Sequence, residues 1–276
     1  MGPRDRRLTD RVRFESDARG GVTVVVDGHP QSYVALEDPG LLAFDYVAHL
    51  ALVLAGMPSG RLRVTHVGGA GMTLARWLAV NRPGSAQLVL EPDAELTALV
   101  RSRLPLPRGH RIRVRPQDGV TGVSRLADGS ADALVLDAYA AGQVPASLAD
   151  PAFLADVRRV LGEAGVFVAN LADEPGLRWV ARFLATLQGV GGFPEIALLA
   201  APEVFKGRRF GNVVVAAGSA DLELDALRRG VASAPVPTGI RIGAEVTRLV
   251  AGARPFTEED VTPSPQPPDP GSWRVR

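Results

Sequence analysis

From Arg61 onward the chain alternates in a way that restricts it to very few folds. Five short apolar runs, "LRVTHV", "AQLVLE", "RIRVRP", "ADALVLD" and "GVFVANL", are separated by "MTLARWLAVNRP", "DAELTALVRSRL", "DGVTGVSRLADG" and "PAFLADVRRVLGEA", each with helical periodicity or a helix start. A strand that is apolar on both faces needs cover on both sides. Helices inserted between consecutive strands give that cover when the strands run parallel. The pattern therefore predicts an open parallel sheet sandwiched between helices. A further helix, "GLRWVARFLATLQGV", precedes "EIALLAAPEVFKGRRFGNVVVAAG", which reads as two strands around a polar, solvated, glycine-containing turn. A sheet that finishes in such an antiparallel hairpin departs from the purely parallel dinucleotide-binding pattern and fits an α/β Rossmann-like sheet of the S-adenosylmethionine-dependent methyltransferase type.

Ahead of this region, "VRFES", "GVTVVVDG" and "PQSYVAL" are rich in β-branched residues and punctuated by Gly and Asp-Gly turns, which predicts a small antiparallel unit. "GLLAFDYVAHLALVLAGM" carries helical spacing and ends near Gly56. The expected organisation is a polar, frayed segment over 1–12, the β unit over 13–40, the Rossmann-like domain over 41–252, and a proline-rich, disordered tail over 253–276. A hydrophobic fraction of 46% supports a sizeable core, and cysteine is absent, which excludes disulfides and thiolate chemistry. No apolar run is long enough for a membrane helix and no secretory signal is visible, so a cytoplasmic protein is expected. The net charge of +1 gives no field for nucleic acid; Lys206 is the sole lysine, so arginine abundance reflects composition. His29, His49, His66 and His110 show no metal-ligand spacing, and no metal is expected.

Ligands of open α/β sheets lie outside the carboxyl ends of the strands, near the switch in strand order. Four features should converge there: the turn Gly68, Gly69, Ala70, Gly71; Glu91 at the end of "LVLE"; Asp118 with Gly119 in "QDGV"; and Asp137 at the end of "ALVLD". The dinucleotide fingerprint would need a glycine at 74, where the chain has Leu74. Glu91 can accept hydrogen bonds from both hydroxyls of an adenosine ribose. Asp118 can accept from an adenine amino group, although Asp-Gly is also an ordinary turn or helix cap. With Leu74 and the terminal hairpin, a sulfonium nucleoside fits better than a diphosphate, which would profit from the third glycine.

These residues together resemble the spermidine synthase (polyamine aminopropyltransferase) family. The likeness runs from about Gly21 to Gly218: "VVVDGHPQSYV", "VGGAG", "LVLEPDAEL", "RPQDGV" and "ALVLDAY" are similar to the family's successive motifs in order. The resemblance implies that decarboxylated S-adenosylmethionine donates an aminopropyl group to a small-molecule amine. It further implies that Gln31 reaches this co-substrate, Glu91 holds its ribose, Asp118 with Gly119 meets the adenine, and Asp137 is the catalytic aspartate. A homodimer is implied as well. The departures are Ala70, where the family's glycine turn has an aspartate; Ala140, where D-S-x-D-P has its second aspartate; and Phe44 with Asp45, aligned with the family's Y-H-E. The nucleoside half of the site is matched, and much of the diamine half is apolar.

A primary amine must lose a proton before it attacks, which costs about 4–5 kcal/mol at neutral pH for a lysine-like group. Asp137, at the end of a buried strand, is expected to have a raised pKa and to serve as the base. Tyr139 is suited either to the wall of an acceptor cavity or to plain packing. Because Ala70 and Ala140 offer no counter-ion to a distal ammonium, putrescine is a poor acceptor on this reading. Two alternatives stay open: a methyltransferase using intact S-adenosylmethionine, for which Arg76 is the nearest cation to the cofactor carboxylate, and a non-catalytic homologue that binds a nucleoside such as methylthioadenosine.

Overall fold

The computed structural model describes residues 11–218 and 222–268. Three antiparallel strands come first: β1 (Val12–Ser16), β2 (Gly21–Val26) and β3 (His29–Ala35). The turn between the first two is organised by Asp17, whose carboxylate accepts hydrogen bonds from the amides of Arg19 and Gly21 and from the Tyr33 hydroxyl. The second turn places Asp27 and Gly28 at φ 49° and 84°, the left-handed pair that Asp-Gly hairpins favour.

The larger unit contains α1 (Asp45–Gly56), β4 (Arg63–Val67), α2 (Thr73–Asn81), β5 (Ala86–Leu90), α3 (Ala94–Arg103), β6 (Ile112–Arg115), α4 (Gly119–Ser124), β7 (Ala131–Leu136), α5 (Pro151–Val160), β8 (Leu161–Asp173), α6 (Arg178–Val190), β9 (Glu195–Ala200), α7 (Pro202–Phe205), β10 (Gly211–Gly218), α8 (Leu224–Ala232), β11 (Gly239–Ile242) and α9 (Ala244–Val250). Its strands lie in the order β11-β9-β10-β8-β7-β4-β5-β6. Strands β4 to β8 are mutually parallel along the sheet. After β4 the chain builds outward through β5 and β6, then returns to add β7 on the other side of β4. The loops leaving β4 and β7 therefore diverge, and the crevice between them is the switch point of the sheet.

Both faces of the sheet are covered, as its apolar strands require. On one face Phe153, Leu154, Phe167, Phe183 and Leu184 are all nearly or fully buried between the strands and α5 and α6. On the other, Leu50 and Leu54 of α1 pack with Leu78 of α2 and Val168 and Val214 of the sheet. A third cluster joins the small sheet to the large unit through Val24, Val34, Met72, Val89 and Leu96. This last contact holds β3 over the crevice.

Three features differ from the sequence expectation. The hairpin of β9 and β10 forms, but β10 inserts between β8 and β9, and β11 extends the sheet by pairing with β9. The connection between β9 and β10 contains the short helix α7 in place of a simple polar turn. Most consequentially, residues 253–268 are not disordered. They have no helix or strand, since proline supplies no amide to a ladder, yet Phe256 and Ser264 are buried. Phe256 packs on Trp179 and under the Arg182 guanidinium, Trp179 Nε1 donates to the Thr262 carbonyl, and Ser264 binds Gln143 and Val144. The remainder of the proposed tail, 269–276, lies outside the described residues. So does the expected frayed segment over 1–12, apart from Arg11 and Val12, and Val12 opens β1. Among the described residues no helix is long and apolar enough to cross a membrane.

Candidate active site

The turn from β4 into α2 is built by close backbone approach. A Cβ on Gly68, which sits at φ 92°, would lie 2.1 Å from the Asp137 carbonyl oxygen; a Cβ on Gly69 would lie 2.5 Å from Val89 Cγ1. Neither position has room for a side chain. The amides of Gly69 and Ala70 both donate to Glu91 Oε2 at 3.1 Å, and Glu91 Oε1 accepts from the Asp93 amide at 3.1 Å. The small sheet grips the same turn: the Gly71 amide donates to Ser32 Oγ at 2.9 Å and Thr73 Oγ1 to the Tyr33 carbonyl at 2.8 Å. Ala70 and Met72 take left-handed backbone, at φ 26° and 57°. Such strain in non-glycine residues persists where the surroundings over-determine it, and it clusters at functional sites.

Beneath the turn lies a cavity of about 610 Å³, its open mouth included, with Gln31, His66, Gly68, Gly69, Ala70 and Asp137 among its walls. A second cavity of about 480 Å³ adjoins it. Gln31, Tyr46 and Tyr139 line both, and the second continues to His29, Pro30, Gly142, Asn170 and Asn212. Asp137 is the one carboxylate lining either cavity among the described residues.

The Asp137 carboxyl follows the last residue of β7 and is oriented by its neighbours across the sheet. Asn170 of β8 donates from Nδ2 to Asp137 Oδ1 at 2.9 Å. Asn212 of β10 donates to Asn170 Oδ1 at 2.9 Å and to the Tyr139 hydroxyl at 3.2 Å, and that hydroxyl donates to the Asn170 carbonyl at 3.1 Å. Water can reach part of Asp137 through the cavity, but protein encloses it closely enough that burial pushes its pKa up to about 6, against the lowering influence of Asn170. Burial, and secondarily the Asp137 charge, also raise the Tyr46 and Tyr139 hydroxyls. The site thus offers a carboxylate that can take a proton near neutral pH, fixed by an amide chain, where two cavities meet.

Arg76 points elsewhere. Its guanidinium is buried and donates to the carbonyls of Gly71, Leu104 and Pro105, so it ties the glycine turn to the end of α3. His66, which lines the first cavity, donates from Nε2 to the Gln87 amide oxygen, and burial lowers its pKa to about 4. No charged cation lines that cavity among the described residues.

Of the residues singled out from sequence, Gln31, Gly68, Gly69 and Asp137 line the first cavity, and Gly71 and Glu91 shape the turn above it. Asp118 and Gly119 are not among its walls. Asp118 caps α4 by accepting from the Thr121 amide, which lowers its pKa, and Gly119 abuts Val67 at the end of β4. Neither Phe44 nor Asp45 is among the walls of these two cavities; Phe44 stacks on Tyr46, which lines both. Among the described residues no group of three or more His, Asp or Glu side chains could hold a metal.

No family model matches the chain. The polyamine aminopropyltransferase of Neisseria meningitidis is 24% identical over 162 residues, which are 58% of this chain and 61% of that relative, so the match spans about three-fifths of the relative's length. A solved structure described as a probable spermidine synthase from Corynebacterium glutamicum superposes with a TM-score of 0.81 at 29% identity, covering 90% of this chain and 92% of that one. In sequence and fold, this chain is similar to spermidine synthases. A spermidine synthase in complex with the transition-state analogue AdoDATO shares the fold, with a TM-score of 0.55 at 16% identity, covering 91% of this chain and 82% of that one.

In this spermidine synthase-like chain, sequence reasoning missed Ser32, Tyr46, Asn170 and Asn212. For Asn170 a signal existed: a lone amide inside the apolar run "GVFVANL" must find a polar partner, because burying it unpaired is costly. Asn212 stood at the edge of a stretch read as a solvated turn. No pattern pointed to Ser32 or Tyr46, whose roles depend on the small sheet folding over the crevice.

Proposed function

We propose that this protein transfers an aminopropyl group from decarboxylated S-adenosylmethionine to an amine other than putrescine. The observation that carries the reading is the placement of Asp137, oriented by Asn170, at the junction of the two cavities. On this reading the nucleoside occupies the first cavity, with Glu91 at its ribose and Gln31 beside the reacting chain. The acceptor enters through the second cavity and surrenders a proton to Asp137. A base with a pKa near 6 takes a proton more readily than an ordinary aspartate and still works ionised at neutral pH. The sulfonium is already an activated leaving group, so alignment of nitrogen, carbon and sulfur supplies much of the remaining acceleration.

The two co-substrates differ by one carboxylate. Intact S-adenosylmethionine would bring that carboxylate into a cavity without a cation among the described residues, since Arg76 is committed to three carbonyls. This favours the decarboxylated compound over methyl transfer. Calorimetry with both compounds and with methylthioadenosine tests the reading. Tighter binding of the decarboxylated compound, and release of methylthioadenosine in the presence of an amine, is the expected result. Preference for the intact compound would establish methyl transfer, and binding without turnover on any amine would make the protein a nucleoside binder. The reading extends, on the resemblance alone, to a cytoplasmic homodimer, and light scattering checks the oligomer.

A further inference from the structure

We propose that the acceptor is an arylalkyl monoamine: one primary amine on a short chain that ends in an uncharged, flat ring. The proposal rests on the aminopropyl-transfer reading and concerns the second cavity alone. With its nitrogen at Asp137, an acceptor would occupy the chamber lined by Asn170, Asn212, Tyr46, Tyr139, Pro30 and His29. A diamine would carry its second ammonium into this chamber. There it would meet three side-chain amides, two aromatic rings, a proline and an imidazole, but no carboxylate among the described residues. An ammonium left without a counter-ion among these partly buried walls is disfavoured, and attraction to a tyrosine face offsets only part of that. Asp137 cannot serve both ends, because it is engaged with the reacting nitrogen.

The same walls suit a ring. Two tyrosines that bound one chamber offer offset or edge-to-face contacts, and the side-chain amides of Gln31, Asn170 and Asn212 can pair with a ring hydroxyl. In the reaction, the acceptor ammonium first gives a proton to Asp137. The freed nitrogen lone pair then forms the C–N bond while the C–S bond breaks. The C–S electron pair stays on sulfur, which leaves as neutral methylthioadenosine, and Asp137 passes its proton to water.

The test is methylthioadenosine release from decarboxylated S-adenosylmethionine by the full chain, with tyramine, phenethylamine, putrescine and cadaverine compared at neutral pH. The expected kcat/KM for tyramine exceeds that for putrescine by about a hundredfold, the scale of one unpaired enclosed charge. His29→Asp, which adds a carboxylate to the far wall without touching the Asp137 network, is expected to narrow that ratio at least about tenfold by favouring the diamine. Putrescine turnover equal to or above that of the monoamines would overturn the acceptor assignment and leave aminopropyl transfer standing. Release with none of the four amines, while calorimetry shows the co-substrate bound, would overturn both.

Discussion

Neutralising the proposed base should make the protein more stable. Burial raises Asp137 from an ordinary value of 3.8 to about 6 in the folded chain. A group whose folded pKa exceeds its unfolded pKa contributes stability below the unfolded value, and that contribution is lost as pH rises through the folded value. For Asp137 the window runs from about pH 3.8 to about pH 6. A shift of about two units corresponds to at most about 3 kcal/mol of destabilisation at neutral pH, at about 1.36 kcal/mol per unit. Asp137→Asn removes that penalty and can keep the Asn170 bond at Oδ1. Its new amide hydrogens face a position where the native oxygen takes no protein hydrogen bond among the described residues, which returns about 1 kcal/mol. The expected net gain is about 2 kcal/mol near pH 7.5, shrinking toward zero near pH 4.5. Urea unfolding of both proteins at the two pH values measures it. Buried His49 and His66, both lowered to about 4, lose stability in the opposite direction as pH falls, but they are common to both proteins and cancel in the difference. A variant no more stable than the parent near pH 7.5, or one with the same difference at both pH values, would refute the argument. The same variant should show no transfer while retaining methylthioadenosine binding.

Three other perturbations probe separate parts of the site. Asn170→Ala removes the bond that lowers the Asp137 pKa, so the acid limb of the kcat profile should move to higher pH and kcat should fall about tenfold or more, as a pH-rate series would show. Glu91→Ala strips the acceptor from the amides of Gly69 and Ala70, and calorimetry should find methylthioadenosine affinity reduced at least about tenfold. Phe256→Ala empties the contact between Trp179 and Arg182 and should cost about 3–5 kcal/mol in urea unfolding, with proteolysis appearing within 253–268.

The strand-helix alternation was legible because the central strands are apolar on both faces and three of the helices carry a start signal: Asp93, Asp118 and Asp150 each accept from a backbone amide in the first turn. Strand order was less legible, since "EIALLA" and "NVVVAA" pair as expected whether β10 lies at the edge or inside the sheet. The proline-rich segment misled for a physical reason. Composition reports whether a stretch can form helix or strand, but Phe256 and Ser264 are held by side chains of α6 and by the loop before α5. Asp137 was readable from its place at a strand end. The Asn170–Asn212 chain that orients it was not, because it depends on β10 lying next to β8.

The segment over 253–268 also sets an order of events during synthesis. The ribosome releases the glycine turn, Glu91 and Asp137 early, and an emerging chain folds from its N-terminal side. The loop bearing Tyr139 and Gly142 receives its clasp only when Ser264 and Pro267 arrive. On the proposed function, every residue assigned to the nucleoside therefore precedes, in the order of synthesis, the segment that clasps the loop of the acceptor chamber.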